Sequence, residues 1–418
     1  MNDRAALELL TLHGPLTRTR VSELTGLSKP TTSQLLTRLE AAGLVLSGGS
    51  LSGGPGPSPR LYEIDPHSAH VAALAVDPAG ITAAVADISG RVTGTHRVEA
   101  PAAAAPPTVG TVEQAAAQLV AAAIDGALAT AGLERADLHR TVIGTPGAID
   151  PVTGTLLYAP HLPGWHSRTL RDELAELIGT PIVIENDVDL AAVAEQQRGA
   201  AQDSDDFVLI WADSGVGAAI VLGGTLLRGA TGGAGEIGYL PLPGAPLTRA
   251  GEDTGGGFQR LVASPSVLRL AAEYGVPGGT AAEALAAARA SPGPGDALLA
   301  ELARRLATGI AAVVAVVNPE LVVLSGEVPR AGGEQLRSLV EAELTGLPLP
   351  RPQLRLSSLE DRPVLSGALR TALADARESV FDTSRAGGPG PLSPRTTSGR
   401  SAHSGNPLEG STVTGVKG

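Results

Sequence analysis

Ile182-Val183-Ile184-Glu185-Asn186-Asp187 is the stretch on which the reading of the fold turns. It predicts a short apolar strand that ends in two polar residues and leads directly into a helix, Val188–Gln197. On its N-terminal side, Val71–Val76 reads as a buried strand ending in Asp77. Pro78-Ala79-Gly80 makes a turn, and Ile81–Asp87 returns as a second strand. Val142-Ile143-Gly144-Thr145-Pro146-Gly147 and Pro160-His161-Leu162-Pro163-Gly164-Trp165 follow. On its C-terminal side, Phe207–Trp211 is a strand, Asp213-Ser214-Gly215-Val216-Gly217 a turn, and Ala218–Leu222 another strand. Gly235-Glu236-Ile237-Gly238-Tyr239 and, much later, Asn318–Gly326 complete the pattern.

A hairpin with Asp at its turn, a strand ending in Asn-Asp and a second Gly-rich hairpin describe a duplicated, two-lobed actin-like ATPase domain. The order and spacing resemble the ROK family, named for repressors, open reading frames and sugar kinases. The resemblance covers about residues 1–378. Its most specific stretches are Thr145-Pro146-Gly147 through Trp165, Glu185-Asn186-Asp187 with its helix, and Gly235-Glu236-Ile237-Gly238. It implies an α/β fold, with an N-terminal winged helix-turn-helix followed by a sugar kinase-like body, the arrangement of the family's repressor branch.

Taken alone, Asn186-Asp187 reads first as a helix cap, with Asp187 capping Val188–Gln197. A carboxylate at a strand end is also a plausible general base toward a sugar hydroxyl, with Asn186 bonding adjacent hydroxyls. The resemblance places a catalytic base and a sugar contact at these two positions, and a further sugar contact at Glu236. The phosphate turns depart from the family's kinases. Asp-x-Gly-Gly-Thr is here Asp77-Pro78-Ala79-Gly80-Ile81, which loses an N–H, space for a phosphate and a hydroxyl. The second turn, normally Gly-Thr-Gly, is Asp213-Ser214-Gly215, with a carboxylate where a γ-phosphate would lie.

The resemblance also implies a zinc site, held by a His and a Cys-rich segment. Here the His position is Tyr239, the segment reads Gly251–Phe258, and the chain has no cysteine. A further sugar-contacting Glu is replaced by Arg260, or by Gln259 if the alignment slips. The expected effector set is therefore Asn186, Asp187, Glu236 and Tyr239, with no catalytic residue, no metal and no cofactor. A neutral sugar, an acidic or phosphorylated ligand drawn by Arg260, and no ligand at all stay open at this level. His161 receives no role, and Trp165 reads equally as a cleft wall or a core anchor.

The first residues carry a different pattern. Ala5–Leu12 predicts a helix with Leu7, Leu10 and Leu12 turned to a core. Thr17 caps Arg18–Thr25, Gly26 ends it, and Ser28 caps a third helix from Lys29 to about Ala42. Leu35, Leu36, Leu39 and Ala42 form that helix's apolar stripe. Gly43–Leu46 opens a strand, Ser47–Ser58 forms a flexible tip, and Arg60–Ile64 returns. Helix, helix, turn, helix, hairpin is the order of a winged helix-turn-helix. Ser28, Lys29, Thr31, Thr32 and Gln34 are the expected DNA contacts at the third helix, with Arg60 reaching from the wing.

Composition bounds these readings. The 418 residues carry a net charge of −12, so DNA binding must be local. Residues 1–66 are neutral, with six basic and six acidic side chains. The tail, 385–418, is basic and lacks apolar periodicity, so it is expected to be disordered. The acidic body is 67–384. No signal segment or membrane-length apolar run is present, which points to the cytoplasm. The expected protein is a repressor of carbohydrate-related genes, a homodimer or homotetramer on operator DNA, responding to a sugar or sugar phosphate. The rival readings are a carbohydrate kinase and a constitutive regulator with a decayed sensor.

Overall fold

The computed structural model describes residues 2–50, 59–100, 112–150, 153–157, 162, 164–247, 256–359 and 362–382, without the side chains of 49–50 and 112–113. Part of the wing tip, His161, most of 251–258 and the tail lie outside the described residues.

The chain opens with α1 (Asn2–His13), β1 (Leu16–Thr17), α2 (Arg18–Thr25), α3 (Lys29–Ala41), β2 (Val45–Ser50) and β3 (Arg60–Ile64). Each helix boundary has a local cause. Thr17 accepts the Arg20 amide at the start of α2, and Gly26 ends it at φ 70°. Ser28 accepts the Thr31 amide at the start of α3, where Pro30 needs no hydrogen-bond partner. β1 and β2 flank β3 in an antiparallel sheet. Together these elements form the winged helix-turn-helix.

Two expected core positions are corrected. α1 turns Ala6, Leu7 and Leu10 inward, which leaves Leu12 on the opposite side and 76% exposed. Ala42 lies beyond the last turn of α3, as its exposed C-cap.

The body contains two five-stranded sheets of the same topology. The first is built from β4 (His70–Asp77), β5 (Gly80–Asp87), β6 (Val92–Glu99), β7 (Leu138–Thr145) and β10 (Ile182–Asn186). Between them run α4 (Val112–Ala131), the small hairpin β8 (Ala148–Ile149) and β9 (Leu156–Leu157), and α5 (Leu170–Ile178). α6 (Asp187–Arg198) leads to the second sheet: β11 (Phe207–Ala212), β12 (Val216–Leu222), β13 (Thr225–Leu226), β14 (Leu321–Ser325) and β15 (Gln353–Leu356). Its helices are α7 (Gln259–Val262), α8 (Ser264–Glu273), α9 (Ala281–Arg289), α10 (Pro294–Val317) and α11 (Glu327–Thr345). α12 (Pro363–Val380) then returns to pack on β4, β7 and α6.

The strand orders are β10-β7-β4-β5-β6 and β13-β12-β11-β14-β15. In each sheet the first strand pairs antiparallel with the second and parallel with the fourth. The duplication is therefore visible strand by strand. β5 is buried at all eight positions, so its sequence does not alternate.

One apolar cluster crosses from the winged helix into the body. Leu7, Leu10, Val21, Leu35, Leu36 and Leu39 are continuous with Val71, Ala84, Leu365, Leu373 and Phe381. The DNA-binding module is thus packed onto α12 and the first sheet, with no separating linker.

Candidate effector cleft and nucleic-acid interface

The N-terminus of α3 is an open polar surface. Ser28, Lys29, Thr31 and Gln34 are exposed on it. Ser28 is already engaged: its hydroxyl caps the helix and lies 2.8 Å from the Thr31 hydroxyl. Thr32 is corrected. It is fully buried, and its hydroxyl donates to the Ser28 carbonyl at 3.1 Å, so it cannot reach DNA. It directly follows the exposed Thr31, and the step of about 100° between neighbours on a helix turns it inward. Arg38 is spent on architecture: its guanidinium forms a two-pronged ion pair with Asp3 of α1, one prong at 3.0 Å. Arg60 is exposed at the start of β3, opposite Ser50.

The expected effector residues Asn186 and Asp187 stand at the end of β10 and the start of α6. Asn186, and not Asp187, caps α6: its Oδ1 accepts the Asp189 amide at 3.0 Å. Its Nδ2 donates to the Gly147 carbonyl at 2.9 Å, which ties the loop after β7 to this corner. Asp187 is instead the first residue of the helix, and its Oδ1 accepts the neighbouring Val188 amide at 2.8 Å. Its carboxylate therefore does not cap the helix, and it lies within electrostatic reach of Asp213 and Glu236.

Three carboxyl groups here are held above their ordinary range. Burial pushes Asp187 up to about 6; the Val188 amide opposes this, and the charge of Asp213 adds to it. Burial pushes Glu236 up to about 7, with the charge of Asp187 contributing. Asp189, 4% exposed, is pushed up to about 7 by burial and then by Glu185, against the pull of Arg228. Arg228 also bonds Glu185 through two nitrogens, at 3.0 and 3.3 Å, joining the loop after β13 to β10. Asp189 and Arg228 were not singled out from the sequence, and Glu185 was quoted within Glu185-Asn186-Asp187 without a role. The repeated acid in Asp187-Val188-Asp189 was the available signal.

Glu236 is delivered by a glycine. Gly235 has φ +92°, and a Cβ there would collide with the Ala218 carbonyl oxygen. The short 3₁₀ helix Ile237–Tyr239 follows, with Tyr239 39% exposed. Gln259, and not Arg260, faces this segment: its side-chain oxygen lies 3.4 Å from where a Cβ on Gly238 would stand. Arg260 is exposed on α7. The implied zinc does not fit these residues, because Tyr239 stands in the place of a His and the sequence supplies no thiolate. Trp165, 6% exposed, belongs to the core beneath the first sheet.

The two turns that stand where the resemblance expects phosphate turns each bond a carboxylate of the chain itself. In the first, Asp77 Oδ1 accepts the amides of Ala79 and Gly80, at 2.8 and 3.0 Å. Arg97 then pairs with the same carboxylate at 3.0 Å and bonds Thr82 and Glu99. In the second, Asp213 Oδ1 accepts the Ser214 amide at 2.7 Å, and its Oδ2 accepts the Glu327 amide at the start of α11. A helix N-terminus that would favour a phosphate is thus already facing a carboxylate.

Comparison with known proteins agrees with this architecture. The sequence pattern of the MarR family matches residues 3–49, and that of the ROK family matches residues 74–375. A glucokinase of Halalkalibacterium halodurans is 30% identical over 272 residues, 59% of this chain and 80% of that protein. A xylose repressor of Caldicellulosiruptor bescii is 24% identical over 86% of this chain and 92% of its own. The crystal structure of a ROK family transcriptional regulator, a homologue of the E. coli MLC protein, superposes with a TM-score of 0.71. It covers 91% of this chain and 98% of its own, at 21% identity, so it speaks for the fold. With its duplicated sheets, its Asn-Asp corner and a match over most of its length, the chain belongs to the ROK family.

Proposed function

We propose that the protein is a DNA-binding transcriptional repressor whose ROK body senses a sugar and does not transfer phosphate. The observation that carries this reading is the state of the two phosphate turns. The first turn loses an N–H, space and a hydroxyl at Pro78, Ala79 and Ile81, and in the second Asp213 occupies the Glu327 amide and adds negative charge beside Asp187. The polar face of α3, by contrast, is open for a DNA groove. The similarity to a xylose repressor along nearly the whole chain supports the same reading.

The effector is a neutral sugar or sugar derivative bound by Asn186, Asp187, Glu236 and Tyr239. Carboxyl groups poised near neutrality can accept or donate hydrogen bonds to hydroxyls without demanding a charged ligand. Ligand closure of the cleft would shift α6 and α12, and the shared apolar cluster would carry that shift to the winged helix. This works only when the ligand favours one of the two states. A homodimer or homotetramer would present two winged helices to a palindromic operator.

The test is selection of bound genomic fragments by the purified protein, with and without a panel of unphosphorylated sugars. A palindromic motif released by one sugar is the expected result. A motif indifferent to every sugar would replace the sensor with a constitutive regulator. Sugar-dependent ATP turnover without a motif would establish a kinase instead.

A further inference from the structure

A second concave site lies where the winged helix meets the body. It is a groove of about 830 Å³ between α1 and α12, closed by the β5–β6 turn and the end of α6. That volume lies within the range of small-molecule pockets. Among the described residues, five arginines line it, from α1, α6 and α12 (Arg4, Arg198, Arg362, Arg370 and Arg377), against two glutamates, Glu8 and Glu378.

The positive charge is only partly compensated. Arg4 pairs with Glu8 at 2.7 Å, and Arg198 bonds the Ser366 hydroxyl. Arg377 donates twice to the Ile88 carbonyl, at 2.8 and 3.0 Å. Arg370 makes no hydrogen bond or ion pair among the described residues. It stands two helical turns before Arg377, on the same face of α12. Burial lowers the Arg377 guanidinium from its usual value, the charge of Arg370 lowers it further, and Asp87 opposes both. The floor beneath these cations is apolar, formed by the buried Leu365, Leu373 and Phe381.

We propose that this groove binds a small organic phosphate, its phosphoryl group held by Arg370 with Arg198 and its uncharged part on the apolar floor. Guanidiniums in a fork geometry suit a phosphate dianion. The apolar floor favours a metabolite over bare ion or nucleic-acid backbone. The chain's own tail is excluded by charge, since residues 385–418 carry four basic side chains and one acidic. Because α1 forms one wall and α12 the other, the bound molecule would fasten the DNA-binding module to the body. The site shares none of the cleft residues, so it stands or falls independently of the sugar reading.

The probes are phenyl phosphate and inorganic phosphate, titrated calorimetrically against the full chain at constant ionic strength held with chloride. Phenyl phosphate is expected to bind saturably, more tightly than inorganic phosphate, and to slow amide exchange across Asn2–His13. Arg370→Ala and Arg198→Ala should each weaken it about tenfold, the loss of one charge-assisted contact. Arg370→Ala should keep the melting temperature, because that side chain makes no hydrogen bond or ion pair among the described residues. No saturable binding, unchanged affinity in both variants, or protection confined to the Asp187 cleft would each overturn the proposal. So would a loss of DNA affinity in Arg370→Ala without phosphate present, which would make the groove a DNA contact.

Discussion

Asp213 accepts the backbone N–H of Glu327 at 3.2 Å, so a carboxylate of the chain itself faces the first turn of α11. The attraction of a helix N-terminus for negative charge is thereby satisfied internally. Asp213→Ala is expected to cost about 1 kcal/mol, the usual worth of an N-terminal cap with its dipole term, read by urea unfolding. The variant should still show no Mg-ATP-dependent rise in melting temperature, because the first turn stays closed by Asp77 and Arg97. A nucleotide-dependent shift in the unmodified protein would show that the turns open, and would return the kinase reading.

The cleft carboxyls set the direction of the pH dependence. Asp187, Asp189 and Glu236 titrate higher in the folded protein than in an unfolded chain. Between about pH 4 and pH 7 the native state therefore holds protons that the unfolded state has already released, and stability falls as pH rises. Above about pH 7 the loss is complete and the curve levels. Asp189 is the most buried of the three, so Asp189→Asn should flatten this fall and gain on the order of 1–3 kcal/mol relative to the parent at about pH 8. Urea unfolding at about pH 5 and pH 8 measures it. Equal slopes in parent and variant would mean that Asp189 remains ionised throughout.

The duplicated sheets were legible because their strands are short apolar runs ending in Asp, Asn-Asp or Gly-rich turns. The helix-turn-helix was legible because Thr17, Gly26, Ser28 and Pro30 mark its boundaries locally. Relationships set by distant segments were not legible. Nothing near Asn186 in sequence announces that it, and not Asp187, would cap α6, because the choice is completed by Gly147 some forty residues earlier. Arg97 closing the Asp77 turn and Arg228 reaching Glu185 arise from strand pairing and from the meeting of two loops. The alignment could not separate Arg260 from Gln259; a single helical position decides which one faces Gly238.

Within α3, stability and DNA contact should separate by one residue. Thr32→Val keeps the buried volume but removes a hydroxyl that bonds the Ser28 carbonyl, at a cost of about 1 kcal/mol. Asp3→Ala should destabilise the module comparably, by releasing Arg38 from α1. Thermal unfolding and DNA binding measured on the same samples distinguish these roles. If Thr32→Val leaves stability unchanged and instead alters sequence preference, α3 is rotated from the arrangement described.

Lys29 and Gln34 are the clean probes of the DNA interface, since Ser28 and Thr31 also hold the helix cap. Lys29 lies at the helix N-terminus, where a cation meets a phosphate without reading a base. Lys29→Ala should therefore weaken all DNA sequences alike and lower the salt dependence by about one released counterion. Gln34, further along α3 and also exposed, has two donors and an acceptor suited to a base edge. Gln34→Ala should cost about 1–3 kcal/mol on the selected operator and relax the preference at one base pair per half-site. Anisotropy titrations on the operator and on a scrambled duplex, at three salt concentrations, measure both. If Gln34→Ala weakens the two duplexes equally, the residue contacts the backbone, and base readout must be assigned to another part of the winged helix.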